Sequence, residues 1–308
     1  MKSVVLGGSG FIGLNLLDKL IKKGDRIRVI DHRLPSEKDR PAGVEFVQGN
    51  YADPTLLEQI EGADCVFHLA GPVDLKAINV DAARDAEKTV AHSIRLMEAC
   101  VRKAVRRLVF VSSGGAVYGV PKSMPIPEGH PTEPISAYGA SKLAIEKYLH
   151  VYKHVWGLDY KVARCANVYG RHQSPFRQQG LIPVILHKAM KGEEVEVWGT
   201  GDAVRDYVNV EDVASALAAL SVYSGKTDVF NVGSGSGVSV NELIGTVRRQ
   251  TGLDVKARYL PGRSFDVPIN ILDCTLIERE LGWGCRNSLS EGIRTTWEWM
   301  KCFSPESV

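Results

Sequence analysis

The six cysteines of this 308-residue chain (Cys65, Cys100, Cys165, Cys274, Cys285, Cys302) show no CxxC and no ligand-like spacing. That excludes a cysteine-type metal centre and predicts a site without metal. Several lie in apolar runs such as Cys65-Val66-Phe67, where a buried, inert thiol is the expectation. No apolar stretch approaches the roughly 20 residues needed to span a bilayer. Nor is there an excess of one charge: 38 basic against 36 acidic residues leave +2, which gives no electrostatic case for nucleic acid or membrane partners. Met1-Lys2 runs directly into an apolar stretch without a signal-peptide pattern, so a reduced, cytoplasmic protein is expected. Repeats and low-complexity linkers are also missing, which predicts tightly joined lobes.

What is present is a rhythm. Short β-rich runs at 4–6, 26–31, 44–48, 65–70 and 107–113 alternate with helical patterns. The runs are nearly continuous in apolar residues, as in strands covered on both faces. Residues 11–23 carry Leu14, Leu17, Leu20 and Ile21 at helical spacing and stop at Gly24. Asp53-Pro54 opens a second helix, with Asp as N-cap and Pro at the first helical position. A long third helix is expected over 81–103. Such alternation predicts an α/β fold with a parallel sheet and right-handed crossovers. After about residue 170 the segments shorten and fill with Gly, Pro and Asn, with helices expected at 211–223, 240–251 and 289–301. Residues 164–169 read as a last core strand. The expected division is 1–170 for a nucleotide-binding domain and 171–308 for a smaller substrate lobe, some of whose segments return to the core.

Gly7, Gly10 and Gly13 fall in G-x-x-G-x-x-G spacing between a strand and a helix. Glycine there allows a sharp turn, close approach of phosphate to backbone, and tight helix–strand packing. The helix beginning near Phe11 and Ile12 offers unpaired N–H groups to a pyrophosphate. Asp31, ending the second strand, can accept from ribose hydroxyls; its charge repels a 2′-phosphate, favouring NAD over NADP despite the nearby Arg33. Further on, Tyr138 and Lys142 stand four residues apart in Ala137-Tyr138-Gly139-Ala140-Ser141-Lys142. Positions i and i+4 share a helix face. A free phenol, with a pKa near 10, is a poor base at neutral pH. A neighbouring ammonium and a positive nicotinamide both favour the phenolate. The pair could then move a proton while a dinucleotide takes a hydride.

With His68-Leu69-Ala70-Gly71 and the segment 164–170, these motifs resemble the extended short-chain dehydrogenase/reductase superfamily, and within it the nucleotide-sugar 4-epimerases of the UDP-glucose/UDP-galactose type. The resemblance spans nearly the whole chain. It implies a Rossmann-type doubly wound parallel sheet with a smaller C-terminal α/β substrate lobe, NAD as cofactor, and a UDP-sugar substrate. It implies Tyr138 as base, Lys142 holding the nicotinamide ribose, Asn50 and Tyr51 near adenine, and Leu69, Ala70 and Gly71 lining the cofactor. Asn167 would contact the diphosphate, Arg205 and Arg263 would bind its charge, and Asp266 would accept from uridine ribose. Asn270 stands where related epimerases place a tyrosine against the sugar's C2 substituent, leaving room for an N-acetyl group. Relatives often dimerise through two helices, which here would come from 81–103 and 137–156.

Two departures qualify the likeness. Many relatives carry a hydroxyl residue four positions before Tyr118, where this chain has Gly114; either Ser113 reaches in from upstream, or the phenol and backbone donors suffice. An asparagine common before the third helix is Thr89. Gly115-Ala116 replaces the carboxylates of related sugar 4,6-dehydratases and sugar-acid decarboxylases, which excludes both reactions. The resemblance therefore implies NAD-dependent 4-epimerisation of a UDP-hexose or UDP-N-acetylhexosamine. Its competitors are an NAD(P)H-consuming reductase of a nucleotide-linked 4-keto sugar and a non-catalytic NAD-binding protein.

Overall fold

A computed structural model describes residues 1–71, 81–177, 180–262 and 267–302. Seven parallel strands form the main sheet: β1 (Lys2–Leu6), β2 (Arg26–Asp31), β3 (Val44–Gln48), β4 (Cys65–His68), β5 (Leu108–Ser113), β6 (Tyr160–Cys165) and β10 (Val229–Val232). Their order is β3-β2-β1-β4-β5-β6-β10. This is the doubly wound α/β arrangement with its order reversing between β1 and β4, the place where such sheets bind ligands beyond their carboxyl ends.

Both faces are covered, which explains the unbroken apolar strands. On one side α1 (Phe11–Lys22) brings Leu16, Leu17 and Leu20 beside Val213 and Leu217 of a later helix, Val210–Leu220. On the other, Leu96 and Met97 meet Ile145 and Leu149. α2 (Pro54–Leu57) opens as the sequence predicts, with the Asp53 carboxylate accepting from Thr55 N at 2.9 Å.

Two expected elements differ. The third helix is not continuous: α3 (Ala82–Asp85) passes through a π-helical segment, Ala86–Ala91, into α4 (His92–Arg102). The stretch 164–169 is not one core strand either. β6 ends at Cys165, Ala166 donates its N–H to Val232 O at 2.9 Å, and the chain resumes as β7 (Asn167–Tyr169) in a different sheet. There β7 pairs with β9 (Val204–Asn209), which is flanked by β11 (Gly237–Ser239) and β13 (Ile269–Asn270). A separate parallel pair joins β8 (Val195–Trp198) to β12 (Ala257–Leu260).

The helix carrying the Tyr/Lys pair is α5 (Ala137–Trp156). Ser136 caps it by accepting from Gly139 N at 3.1 Å, and Gly157 ends it at φ +71°. Gly139 is required by contact: a Cβ there would sit 2.6 Å from Ala116 O. Absence of a side chain thus lets α5 press directly on the loop after β5.

Candidate active site

The glycine turn follows β1. Gly7 adopts φ +79°, and a Cβ on it would lie 2.8 Å from Ala70 N; a Cβ on Gly13 would lie 2.5 Å from Gly8 O. The turn therefore packs against Leu69-Ala70 on one side and closes onto α1 on the other. Gly10 provides no side-chain cap, so the first N–H groups of α1, at Phe11 and Ile12, meet no capping side chain. Asp31 is buried beside the turn, with Oδ2 accepting from Ser9 N at 3.0 Å and Oδ1 lying 3.0 Å from His32 Nδ1. A narrow backbone cradle, a helix N-terminus and an adjoining carboxylate fit a dinucleotide, and Gly7, Gly10, Gly13 and Asp31 are the residues that would hold it.

Tyr51 packs its ring 5.3 Å from His68 and 6.0 Å from His92, while Asn50 Oδ1 accepts from Ala52 N at 2.9 Å. Both follow β3, on the Asp31 side of the cleft.

Lys142 is 7% exposed and donates from Nζ to Val111 O at 3.0 Å. Its ammonium lies 4.8 Å from the centre of the Phe110 ring and 5.8 Å from that of Tyr138. A Cβ on Gly71 would stand 3.6 Å from the same nitrogen. Lys142, Tyr138 and the segment after β4 therefore lie close together, on one side of the strand-order reversal. The Ser113 hydroxyl, ending β5, faces the Tyr138 phenol and favours its ionised form.

Burial disfavours the charged form of each group. It lowers the Lys142 pKa to about 8. It raises that of Tyr138 to about 12, against the downward pull of the nearby Ser113 hydroxyl. The chain alone thus leaves the phenol protonated at neutral pH.

Gly114 has a packing reason. Its Cβ would meet Leu272 Cδ1 at 2.6 Å and Cδ2 at 2.9 Å, with Arg164 O at 3.2 Å. Leu272, fully buried, fills the place where a hydroxyl side chain would stand. Gly114→Ser should therefore destabilise the fold by about 1–3 kcal/mol. Thermal unfolding checks this, and adding Leu272→Ala should recover part of the loss.

Thr89 points into the interior. It is buried and donates from Oγ1 to Asp85 Oδ1 at 2.9 Å. Asn167 donates from Nδ2 to Asp206 O at 3.0 Å, anchoring β7 on β9. Arg205 donates from Nη1 to Val204 O at 2.8 Å and lies opposite Asn270 across the β9–β13 pair. Asn270, 2% exposed, reaches Gly114 O at 3.4 Å with Nδ2, while its Oδ1 is buried without a partner. The small sheet thus touches the catalytic loop through Asn270. Arg263 and Asp266 lie outside the described residues.

The residue-level reading missed a buried ion pair beneath this site. Arg164 of β6 and Glu146 of α5 are both 5% exposed and meet through Nη2–Oε2 at 2.6 Å and Nε–Oε2 at 3.1 Å. Ser112 donates to the same carboxylate, and Arg164 Nη1 donates to the Tyr118 hydroxyl at 3.0 Å. An arginine inside an apolar strand signals a buried partner, but nothing local says which. Among the described residues, no three His, Cys, Asp or Glu side chains gather where they could hold a metal ion.

This chain belongs to the NAD dependent epimerase/dehydratase family, whose model matches residues 3–233. A relative from Methanocaldococcus jannaschii, described as a putative UDP-glucose 4-epimerase, is 34% identical over 97% of this chain and 98% of its own. A crystal structure of the Thermotoga maritima UDP-glucose 4-epimerase with UDP-glucose is 37% identical, with a TM-score of 0.92 over 98% of this chain and 99% of that one. The Thermus thermophilus UDP-glucose 4-epimerase complexed with NAD is 32% identical, with a TM-score of 0.90 over the same shares.

Proposed function

We propose that this protein is an NAD-dependent 4-epimerase of UDP-sugars, acting on a UDP-hexose or a UDP-N-acetylhexosamine. The observation that carries the reading is the meeting of Tyr138, Lys142, Ser113 and Gly71 on one side of the strand-order reversal. NAD⁺, when bound, supplies a hydride acceptor that returns the hydride within the same turnover. Tyr138 accepts the proton of the sugar C4 hydroxyl and later gives it back. Lys142 holds the nicotinamide ribose and supports the phenolate, and Ser113 orients the reacting hydroxyl. No carboxylate stands at Gly115-Ala116 to drive elimination.

Asn167, Arg205, Asn270 and, beyond the described residues, Arg263 and Asp266 form the proposed substrate face. A guanidinium such as that of Arg205 suits a diphosphate because it can donate two parallel hydrogen bonds. A groove lined by Pro175, Phe176, Leu181, Val184, Val195 and Trp198 opens on the small lobe. Its aromatic faces suit the stacking of a uracil ring. The lobes divide at residue 170, with β10 rejoining the main sheet beside β6.

The purified protein should interconvert UDP-Glc with UDP-Gal, or UDP-GlcNAc with UDP-GalNAc, without added reductant. Failure with every pair sinks the reading, and stoichiometric consumption of NAD(P)H would make the protein a reductase instead. A non-catalytic NAD-binding protein would be motivated by the hydroxyl missing at position 114, but Leu272 packing accounts for that glycine.

Two further assignments belong here. Tyr148, Val151, Val155 and Trp156 are exposed along α5 at spacings that share a face. They support a homodimer formed by α4 and α5 of two copies, which should appear as a two-chain mass in light scattering; a one-chain mass rules it out. All six cysteines are free thiols, which suits a reducing cytoplasm. Among the described residues, no helix is long and apolar enough to cross a membrane.

A further inference from the structure

Lys142 and Tyr138 are enclosed by several polar groups, and all but one are neutral or paired. His68, at the end of β4, is fully enclosed, and burial holds its imidazole pKa near 3, well below neutrality. Cys165, at the end of β6, is pushed by burial up to about 12 and remains a thiol. Glu146, one turn along α5, is neutralised by the two-point contact with Arg164. On β5 the neighbours are the Phe110 ring and Val111 O, which carry no net charge.

The exception is Asp85. It ends α3 immediately before the π-helical segment and is 6% exposed. Oδ2 accepts from Ser141 Oγ at 2.6 Å and Oδ1 from Thr89 Oγ1 at 2.9 Å. Ser141 is the residue before Lys142 on α5. Among the described residues no cation pairs with this carboxylate. A π-helical insertion breaks the regular turn and commonly marks a functional site. Here it leaves Asp85 and Thr89 both directed into the interior, against the catalytic helix.

We propose that Asp85 is a positioning residue for the proton transfer, its carboxylate tied to α5 through Ser141 and supplying the negative charge against which the Lys142 ammonium and the Tyr138 phenol are balanced. A buried negative charge raises the proton affinity of each. That direction holds for both side chains. Asp85 therefore keeps Lys142 cationic where burial would discharge it, and makes phenolate formation depend on the arriving positive cofactor. This rests on the reading that Tyr138 and Lys142 perform the proton chemistry.

The test uses the NAD-loaded protein. The near-ultraviolet phenolate absorbance of Tyr138 is titrated as the difference between each protein and its Tyr138→Phe counterpart. The pH–rate profile for UDP-sugar interconversion is measured beside it. Asp85→Asn, which keeps shape and loses charge, should move both to lower pH by about one unit. Asp85→Glu, which keeps the charge, should leave both in place, though with a lower rate.

A folded, NAD-bearing Asp85→Asn protein whose titration does not move overturns the proposal, as does a rate reduced equally at every pH. Should Asp85→Asn not fold, Asp85→Ser, another neutral replacement, carries the same expectation. Failure of both neutral variants to fold, with Asp85→Glu folded, assigns the carboxylate to architecture and also overturns it. If the wild-type protein does not interconvert UDP-sugars, the functional reading fails, and the phenolate titration still decides the role of Asp85.

Discussion

Tyr138→Phe should lower kcat by about 10³-fold while leaving folding and NAD content unchanged. Proton transfer by a placed side chain is worth roughly 10²–10⁴ in rate, and in the proposed mechanism the phenol oxygen of Tyr138 performs it. The ring itself is a packing element, with the Lys142 ammonium 5.8 Å from its centre, and phenylalanine preserves that contact. Because the lost interaction belongs to the transition state, kcat and kcat/KM should fall together with KM little changed. Steady-state kinetics with a UDP-sugar checks this, with absorbance of the bound cofactor as the control. A KM effect with kcat intact would mean that Tyr138 only binds. Ser113→Ala, which removes the hydroxyl facing the phenol, should cost less, about 10-fold in kcat, with Tyr138 still in place.

The electrostatics around this pair show why the cofactor's charge matters to the chemistry. Burial acts on the phenol and on the ammonium in opposite directions, raising one to about 12 and lowering the other to about 8, so at neutral pH the phenol is protonated and the ammonium keeps its charge with little margin. A reactive pair needs phenolate beside that ammonium. A positive ring arriving beside Tyr138 shifts the phenol downward, while Asp85 keeps the ammonium from discharging. The cleft is thus inactive by default and charged by its own ligand.

Much of this was readable in the residue pattern because the relevant signals are local. Parallel strands covered on both faces run nearly continuous in apolar residues, so β1, β4 and β5 stand out, and an i, i+4 pair needs only one helix to share a face. The helix break at Ala86–Ala91 was not readable, since a π-helical insertion leaves no mark in hydrophobic spacing beyond a slight drift of phase. The end of β6 at Cys165 was hidden for a different reason. β6 and β7 are both extended and separated by a single residue, and only their partners tell them apart: β6 pairs with β5 and β10, β7 with β9. The polar residues missed at the site, Asp85 and Glu146, and the packing of Leu272 onto Gly114 depend on partners outside their own elements. Ser141 meets Asp85 across 56 positions, and Asn270 meets Gly114 across 156. Composition and spacing carry no trace of such distances.

Glu146→Ala should be the most damaging substitution for stability, at about 3–5 kcal/mol. The cost comes less from the lost attraction than from what remains. Arg164, 5% exposed in the middle of the sheet, would keep its charge in a dry environment after losing a carboxylate held by both Nε and Nη2. Ser112 would lose its acceptor at the same time. For a chain of this size such a loss corresponds to a fall in Tm of roughly 6–10 °C, measurable by thermal unfolding of the NAD-loaded protein. The charge interpretation is separable from simple cavity formation. Combining Glu146→Leu with Arg164→Met removes both charges and refills the volume, so this double variant should recover most of the stability lost by Glu146→Ala. If it is as unstable as the single variant, packing rather than the stranded guanidinium is responsible. Activity supplies a second reading of the same pair, because Glu146 lies one turn beyond Lys142 and ties α5 to the strand that ends in Ser113. A double variant that regains its Tm but not its kcat would show that the ion pair fixes where the catalytic helix sits, in addition to holding it there.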